Sequence, residues 1–206
     1  METQPHPPDP DPARALLGAL GTEHFALQSA VGATIAESGS RSAIYLASLS
    51  SGLVAIGFAS SSPQILAVFA FTVLPTIFLI GWFTIVRLVD TTVQNSTAQR
   101  RIERIRGYYS TLDPAAPSFF SPDDPRSTGE LGIRYARWSI LSTLATMIGV
   151  VNAVVGAAGL ALLLVVAVGL PFAIGVSFGA ILGLGLLAAT LLYQRARINR
   201  VLGRAL

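Results

Sequence analysis

Long stretches of this chain contain no charged side chain at all: Ser42 to Ser60, Ile65 to Val86, and Ser139 to Tyr193. A helix needs about 20 apolar residues to cross a hydrocarbon core of roughly 30 Å. Inside lipid the backbone must satisfy its own hydrogen bonds, which a helix does within one segment. Only 12% of the 206 residues are charged and 52% are hydrophobic, whereas soluble domains carry about 25% charged residues. These features predict an all-α membrane protein with four transmembrane helices arranged as two hairpins.

The first two spans are expected at Ser42–Ser60 and Ile65–Val86, joined by a short polar turn that contains Pro63. The last apolar run is too long for one span and too short for three. Gly169 and Pro171 supply a break, because proline cannot continue a helix from within. The third span is expected near Leu141–Leu164 and the fourth near Phe172–Tyr193.

All 14 basic residues are arginine. Arg14 and Arg41 precede the first span. Arg87, Arg100, Arg101, Arg104, Arg106, Arg126, Arg134 and Arg137 fall in the middle segment. Arg195, Arg197, Arg200 and Arg204 follow the last span. Positive residues are retained on the cytoplasmic side, so both termini and the middle segment are expected there. Trp and Tyr favour the membrane interface. Tyr45, Trp82, Trp138 and Tyr193 sit near the arginine-flanked end of each span, which predicts an aromatic belt at that end.

Lipid offers no hydrophobic drive for helices to associate, so small residues that permit close approach take over. Gly175, Gly179 and Gly183 form such a groove on the fourth span. Ala47, Ser51, Ala55 and Ala59 form a similar stripe on the first, and Gly149, Ala153 and Ala157 on the third. Asn152 is the only amide deep in a span; it either hydrogen-bonds between helices or lines a polar path. Pro75 interrupts the second span as a kink or a hinge.

Outside the spans, residues 1–21 read as a proline-rich, partly disordered tail without the basic start and short apolar run of a secretory signal. Residues 22–41 read as a cytoplasmic amphipathic helix, with Thr22 as its cap and Leu27, Val31 and Ile35 on one face. Ser38, Gly39 and Ser40 are expected to break or bend it before the first span. The second span is expected to run on as a helix to about Tyr109, with Ile102, Ile105 and Tyr109 sharing a face. A proline-rich loop then completes the middle segment, 87–138. Residues 194–206 form a basic tail. Arg100, Arg101, Arg104, Arg106, Arg195, Arg197 and Arg200 are expected to meet anionic lipid head groups or an acidic partner.

Three stretches resemble a family of small multi-pass membrane proteins of actinobacteria: EHFALQ at Glu23–Gln28, ATIAESGSRSAIYLASLSSGLVAIGF at Ala33–Phe58, and RIERIRGYY at Arg101–Tyr109, together with Leu74–Pro75. The resemblance covers roughly the first 120 residues. It implies a bacterial inner-membrane protein whose shared core is the first two spans and their flanking helices. It implies no activity.

No Asp, Glu, Lys, Arg or His lies within a span, and such residues mark ion paths and proton relays. There is no cysteine, and His6 and His24 lack partners for a metal site. The serines of the first span have no histidine or lysine to activate them. An enzyme is therefore not expected, nor a cofactor, a metal or a nucleic-acid partner. The expected function is a non-enzymatic scaffold, regulatory or partner-binding subunit of the bacterial cytoplasmic membrane, acting at its cytoplasmic face. The alternative is a small uncharged pore or transporter subunit, or a membrane-disrupting effector. The bilayer itself is the first partner, and the glycine stripes leave room for a homo-oligomer or a membrane-protein partner.

Overall fold

The computed structural model describes residues 12–59, 61–120 and 144–202; side chains are described within these ranges except at 63, 120, 201 and 202. Four helices dominate: α1 (Pro12–Ala59), α2 (Pro63–Tyr109), α4 (Leu144–Leu162) and α5 (Phe172–Leu202), with a short α3 (Pro117–Phe120) between α2 and α4. Each of the four long helices carries a stretch long and apolar enough to cross a membrane. Arg126, Arg134, Arg137, Trp138, Arg204 and the start of the expected third span lie outside the described residues.

The first two helices are far longer than any bilayer requires. At 1.5 Å per residue, the 48 residues of α1 reach about 72 Å, against a hydrocarbon core of about 30 Å. α1 and α2 lie antiparallel, and the contact between them follows a seven-residue repeat. On α1, His24, Val31, Ser38, Tyr45, Gly52 and Ala59 are all buried or half-buried. On α2 the same holds for Ala70, Ile77, Thr84, Thr91, Ala98 and Ile105. A 3.5-residue repeat keeps one seam facing its partner along its whole length, as in a coiled coil. Ser38 meets Thr91, and two heptads along each helix Gly52 meets Ile77, so the register does not drift.

Two expectations are corrected at the junction. Ser38–Gly39–Ser40 neither breaks nor bends the chain out of helix, because α1 runs through it without interruption. Ser38 donates within its own helix to the Thr34 carbonyl at 2.8 Å and lies 3.0 Å from the Thr91 hydroxyl. Tertiary contact outweighs the weak local propensity of these residues. The helix also begins at Pro12 rather than at Thr22, whose hydroxyl donates to the Gly18 carbonyl one turn back. Residues 12–21, expected in the tail, are therefore helical.

The α1–α2 turn is tight: Ser62 donates from its backbone N–H to the Ala59 carbonyl at 3.1 Å. Pro63 then takes the first helical position, where its missing N–H is not needed. α2 continues as helix through Pro75. The second hairpin turns differently. α4 widens into a π-helical turn at Leu163–Ala167. Gly169 adopts φ +76°, a left-handed conformation that glycine takes without steric penalty, and the Leu170 N–H closes the end on the Leu164 carbonyl. α4 packs on α5 and on α2, which is buried on two faces. α1 packs almost wholly on α2.

The core lies where these helices meet. Tyr45, Ile77, Ile85, Leu88, Val89, Ala145, Ile148 and Val155 form its main cluster. A second cluster of Leu27, Ile102 and Ile105, backed by Leu20, Val31 and Tyr109, holds the far end of the α1–α2 hairpin. Ile35, expected on that face, is instead 60% exposed. A four-residue spacing drifts off a seam whose period is 3.5.

Candidate functional site

Five charged residues of α1, α2 and α5 gather just beyond the apolar stretches. Glu37 on α1 accepts two hydrogen bonds from Arg87 of α2, Nε at 2.8 Å and Nη2 at 2.9 Å. It also accepts one from Arg41, one turn along α1, at 2.8 Å. These bonds, Arg87's first and Arg41's second, hold the Glu37 carboxyl at about 2, well below the usual carboxylate range. In return Glu37 keeps the Arg87 guanidinium more firmly protonated. Asp90, one turn along α2, accepts from Arg197 of α5 at 3.3 and 3.4 Å. One belt of ion pairs thus joins α1 to α2 and α2 to α5.

On the outer part of α2, Arg100, Arg101 and Arg104 are exposed and Arg106 is half-buried. On α5, Arg195 and Arg200 are exposed. Among the described residues Arg101, Arg104, Arg195 and Arg200 make no ion pair. This basic surface therefore splits: Arg197 serves the belt, and these four face solvent.

Below the belt the packed core carries a line of polar groups. Tyr45 is fully buried and donates from its hydroxyl to Asn152 Oδ1 at 3.4 Å. It is thus a bridge between α1 and α4, not the interface anchor expected from its position. Gly81 of α2 makes room for the pair, because Asn152 Oδ1 and the Tyr45 ring occupy the space a Cβ would take. Trp82 and Tyr193, at 39% and 37% exposure, remain open to the surroundings. Thr146 of α4 donates to Gln194 of α5 at 3.1 Å.

The small residues of α4 and α5 meet each other. A Cβ added at Gly179 would lie 2.5 Å from the Ala157 carbonyl oxygen, and one at Gly183 would lie 3.0 Å from the Ala157 Cβ. At Gly175 it would meet the Val165 side chain at 2.5 Å, and at Gly149 the Thr190 methyl at 2.9 Å. The first-span stripe behaves otherwise. Ala47 and Ser51 are exposed, and only Ala59 is buried.

Two further features escaped the sequence. An apolar cleft of about 440 Å³ opens between α2, α4 and α5, lined by Phe71, Pro75, Phe78, Gly156, Leu163 and Leu186 among others. A second pocket of about 320 Å³, where Thr, Ser and Asn95 side chains share a mainly apolar wall with Ile35 and Leu144, lies beside the ion-pair belt, between α1, α2 and the start of α4. The role of Glu37 was half legible, since Glu four residues before Arg41 is a helical pairing signal; the Arg87 contact needed the register between helices. His24 pairs with Gln28 at 3.0 Å. Among the described residues no group of three His, Cys, Asp or Glu side chains could hold a metal ion.

The fold defines a class: the described residues are all-helical, with four long helices fit to span a membrane. No family model, no curated protein and no solved structure matches this chain.

Proposed function

We propose that this chain is a non-enzymatic component of a bacterial cytoplasmic membrane, a scaffold, regulatory or partner-binding subunit whose working surface is the outer part of the α1–α2 hairpin. Both termini and the middle segment lie in the cytoplasm. The observation that carries this reading is length: α1 and α2 run about 40 Å past what the bilayer needs, still packed through Leu27, Ile102 and Ile105. A two-helix stalk with its own core is a rigid platform. Its exposed Arg101 and Arg104 offer charge to acidic protein surfaces or anionic head groups.

Sidedness rests on the arginines. Arg41, Arg87 and Arg197 sit in one belt through Glu37 and Asp90, and positive residues stay on the cytoplasmic side. Asn152 is engaged by Tyr45 in helix packing, which favours a structural use of that amide over a polar path.

The test is affinity capture in mild detergent from membranes cross-linked through a photoreactive residue at the exposed position 99 or 108. A specific adduct that disappears when Arg101 and Arg104 become Glu is expected. A protein that yields no adduct at either position, and whose arginine variants behave as wild type in the cell, contradicts the proposal.

A further inference from the structure

Pro75 leaves one carbonyl of α2 without its helical donor, and it does so in the wall of the apolar cleft. In a helix the carbonyl of Phe71 points at the backbone nitrogen of residue 75. Proline carries no N–H there, yet α2 stays helical through the position. Inside a membrane such a freed carbonyl is commonly met by a nearby Ser or Thr hydroxyl. The two hydroxyls that flank it are committed elsewhere. Thr72 donates to the Val68 carbonyl at 2.8 Å and reaches that of Phe69 at 3.2 Å, and Thr76 donates to the Thr72 carbonyl at 2.8 Å.

The cleft supplies no donor either. Phe71, Pro75 and Phe78 form its α2 side, and Gly156, Gly159 and Leu186 belong to the facing helices. Among the described residues every side chain in its wall is hydrocarbon. Water is a poor substitute at this depth. Pro75 lies twelve residues after Pro63, about 18 Å along α2, so the site is near the middle of a hydrocarbon core of about 30 Å. A cleft of about 440 Å³ falls in the range that holds a small molecule. Gly159 leaves part of it open, since a Cβ built there meets nothing within 4 Å. The wall calls for a hydrocarbon body, and the Phe71 carbonyl calls for one hydrogen-bond donor on it. An ionised ligand finds no counter-charge here and is disfavoured.

We propose that this cleft binds a lipophilic alcohol or phenol, a compact hydrocarbon molecule whose one hydroxyl donates to the Phe71 carbonyl. The site requires the chain to span a membrane but not the scaffold role, so failure of partner capture leaves it standing.

The test uses the full chain in phosphatidylcholine nanodiscs with 4-hexylphenol that carries a diazirine in its alkyl chain. After irradiation, adducts are located and counted by mass spectrometry of the digested protein. They should fall on residues 71–78 of α2 and 156–163 of the facing helix. Unlabelled 4-hexylphenol and hexylbenzene, at equal content in the bilayer, then compete with the probe. The phenol should compete about three- to tenfold better, the worth of one hydrogen bond. Gly159→Leu puts a side chain into the open part of the cleft and should abolish these adducts. Pro75→Ala returns an amide proton to the Phe71 carbonyl and should bring the phenol down to the level of hexylbenzene while adducts remain. Pro75→Leu takes its place if Pro75→Ala does not melt as the wild type does. Adducts spread evenly over the lipid-facing surface, equal competition by the two compounds, labelling that survives Gly159→Leu, or a phenol preference that survives the restored amide would each overturn the assignment.

Discussion

The two hairpins solve the same problem with different chemistry. α1 and α2 meet through side chains on a seven-residue repeat, and where Gly52 approaches α2 it meets the tips of Ile77 and Val73. α4 and α5 meet backbone to backbone, with Gly179 against the Ala157 carbonyl. Both contacts lie within the apolar stretches, and the solvent differs only where α1 and α2 run beyond them. A helix pair that leaves the membrane gains from burying Leu27, Ile102 and Ile105 away from water, so a side-chain seam serves its whole length. A pair flanked by lipid gains nothing from that transfer and relies on close contact.

That contrast predicts an order of sensitivity. Gly179→Leu should be the most damaging change, because the Ala157 backbone cannot move aside. A loss of about 3 kcal/mol or more in a denaturation titration in detergent is expected, at the upper end for overpacking. Ile102→Ala should destabilise the outer hairpin by about 2–4 kcal/mol. Read by hydrogen exchange, the loss should be confined to the ends of α1 and α2 and leave the α4–α5 pair protected. A change that spread evenly over both hairpins would erase the distinction between them.

Asn152→Leu removes the acceptor for Tyr45 and should lower stability by about 0.6–2 kcal/mol in the same titration. Gly52→Ala sharpens the comparison from the other side. Its new methyl meets the Ile77 Cδ1, which can turn, and the Val73 Cγ1, which is held by a stiff χ1, so a loss of about 1 kcal/mol is expected, below that of Gly179→Ala, whose methyl meets backbone.

The smallest effect belongs to the ion-pair belt. Glu37 has a carboxyl depressed from 4.5 to about 2. A depressed acid stabilises the fold above its unfolded value and loses that contribution as pH falls through the folded value. Between about pH 4.5 and 2 the wild-type melting temperature should therefore fall more steeply than that of Glu37→Gln. Parallel curves would mean the Glu37 bonds add nothing to folding.

The spans were legible because apolar length and absence of charge are local properties of the sequence. The turn at Gly169–Pro171 was legible for the same reason. What sequence reading mistook was set by the partner helix. Ser38–Gly39–Ser40 reads as a break until Thr91 faces it. Tyr45 reads as an interface anchor until Asn152 is opposite. Ile35 was grouped with Leu27 and Val31 on a spacing of four, when the seam steps by 3.5. The pocket between α1, α2 and the start of α4 has no sequence signature, since it exists only where these helices lie in register.

The central claim is that α1 is one unbroken helix running from the apolar core to the outer end of the stalk. The chain has no cysteine, so Gly18→Cys and Ala47→Cys, both at exposed positions, allow two spin labels and no others. Pulsed electron-electron distance measurement in nanodiscs should give one narrow distribution centred near 44 Å, the rise of an uninterrupted helix between those positions. A broad distribution, or a distance shorter by 10 Å or so, would mean that the chain bends at Ser38–Ser40 and that the continuous seam does not exist.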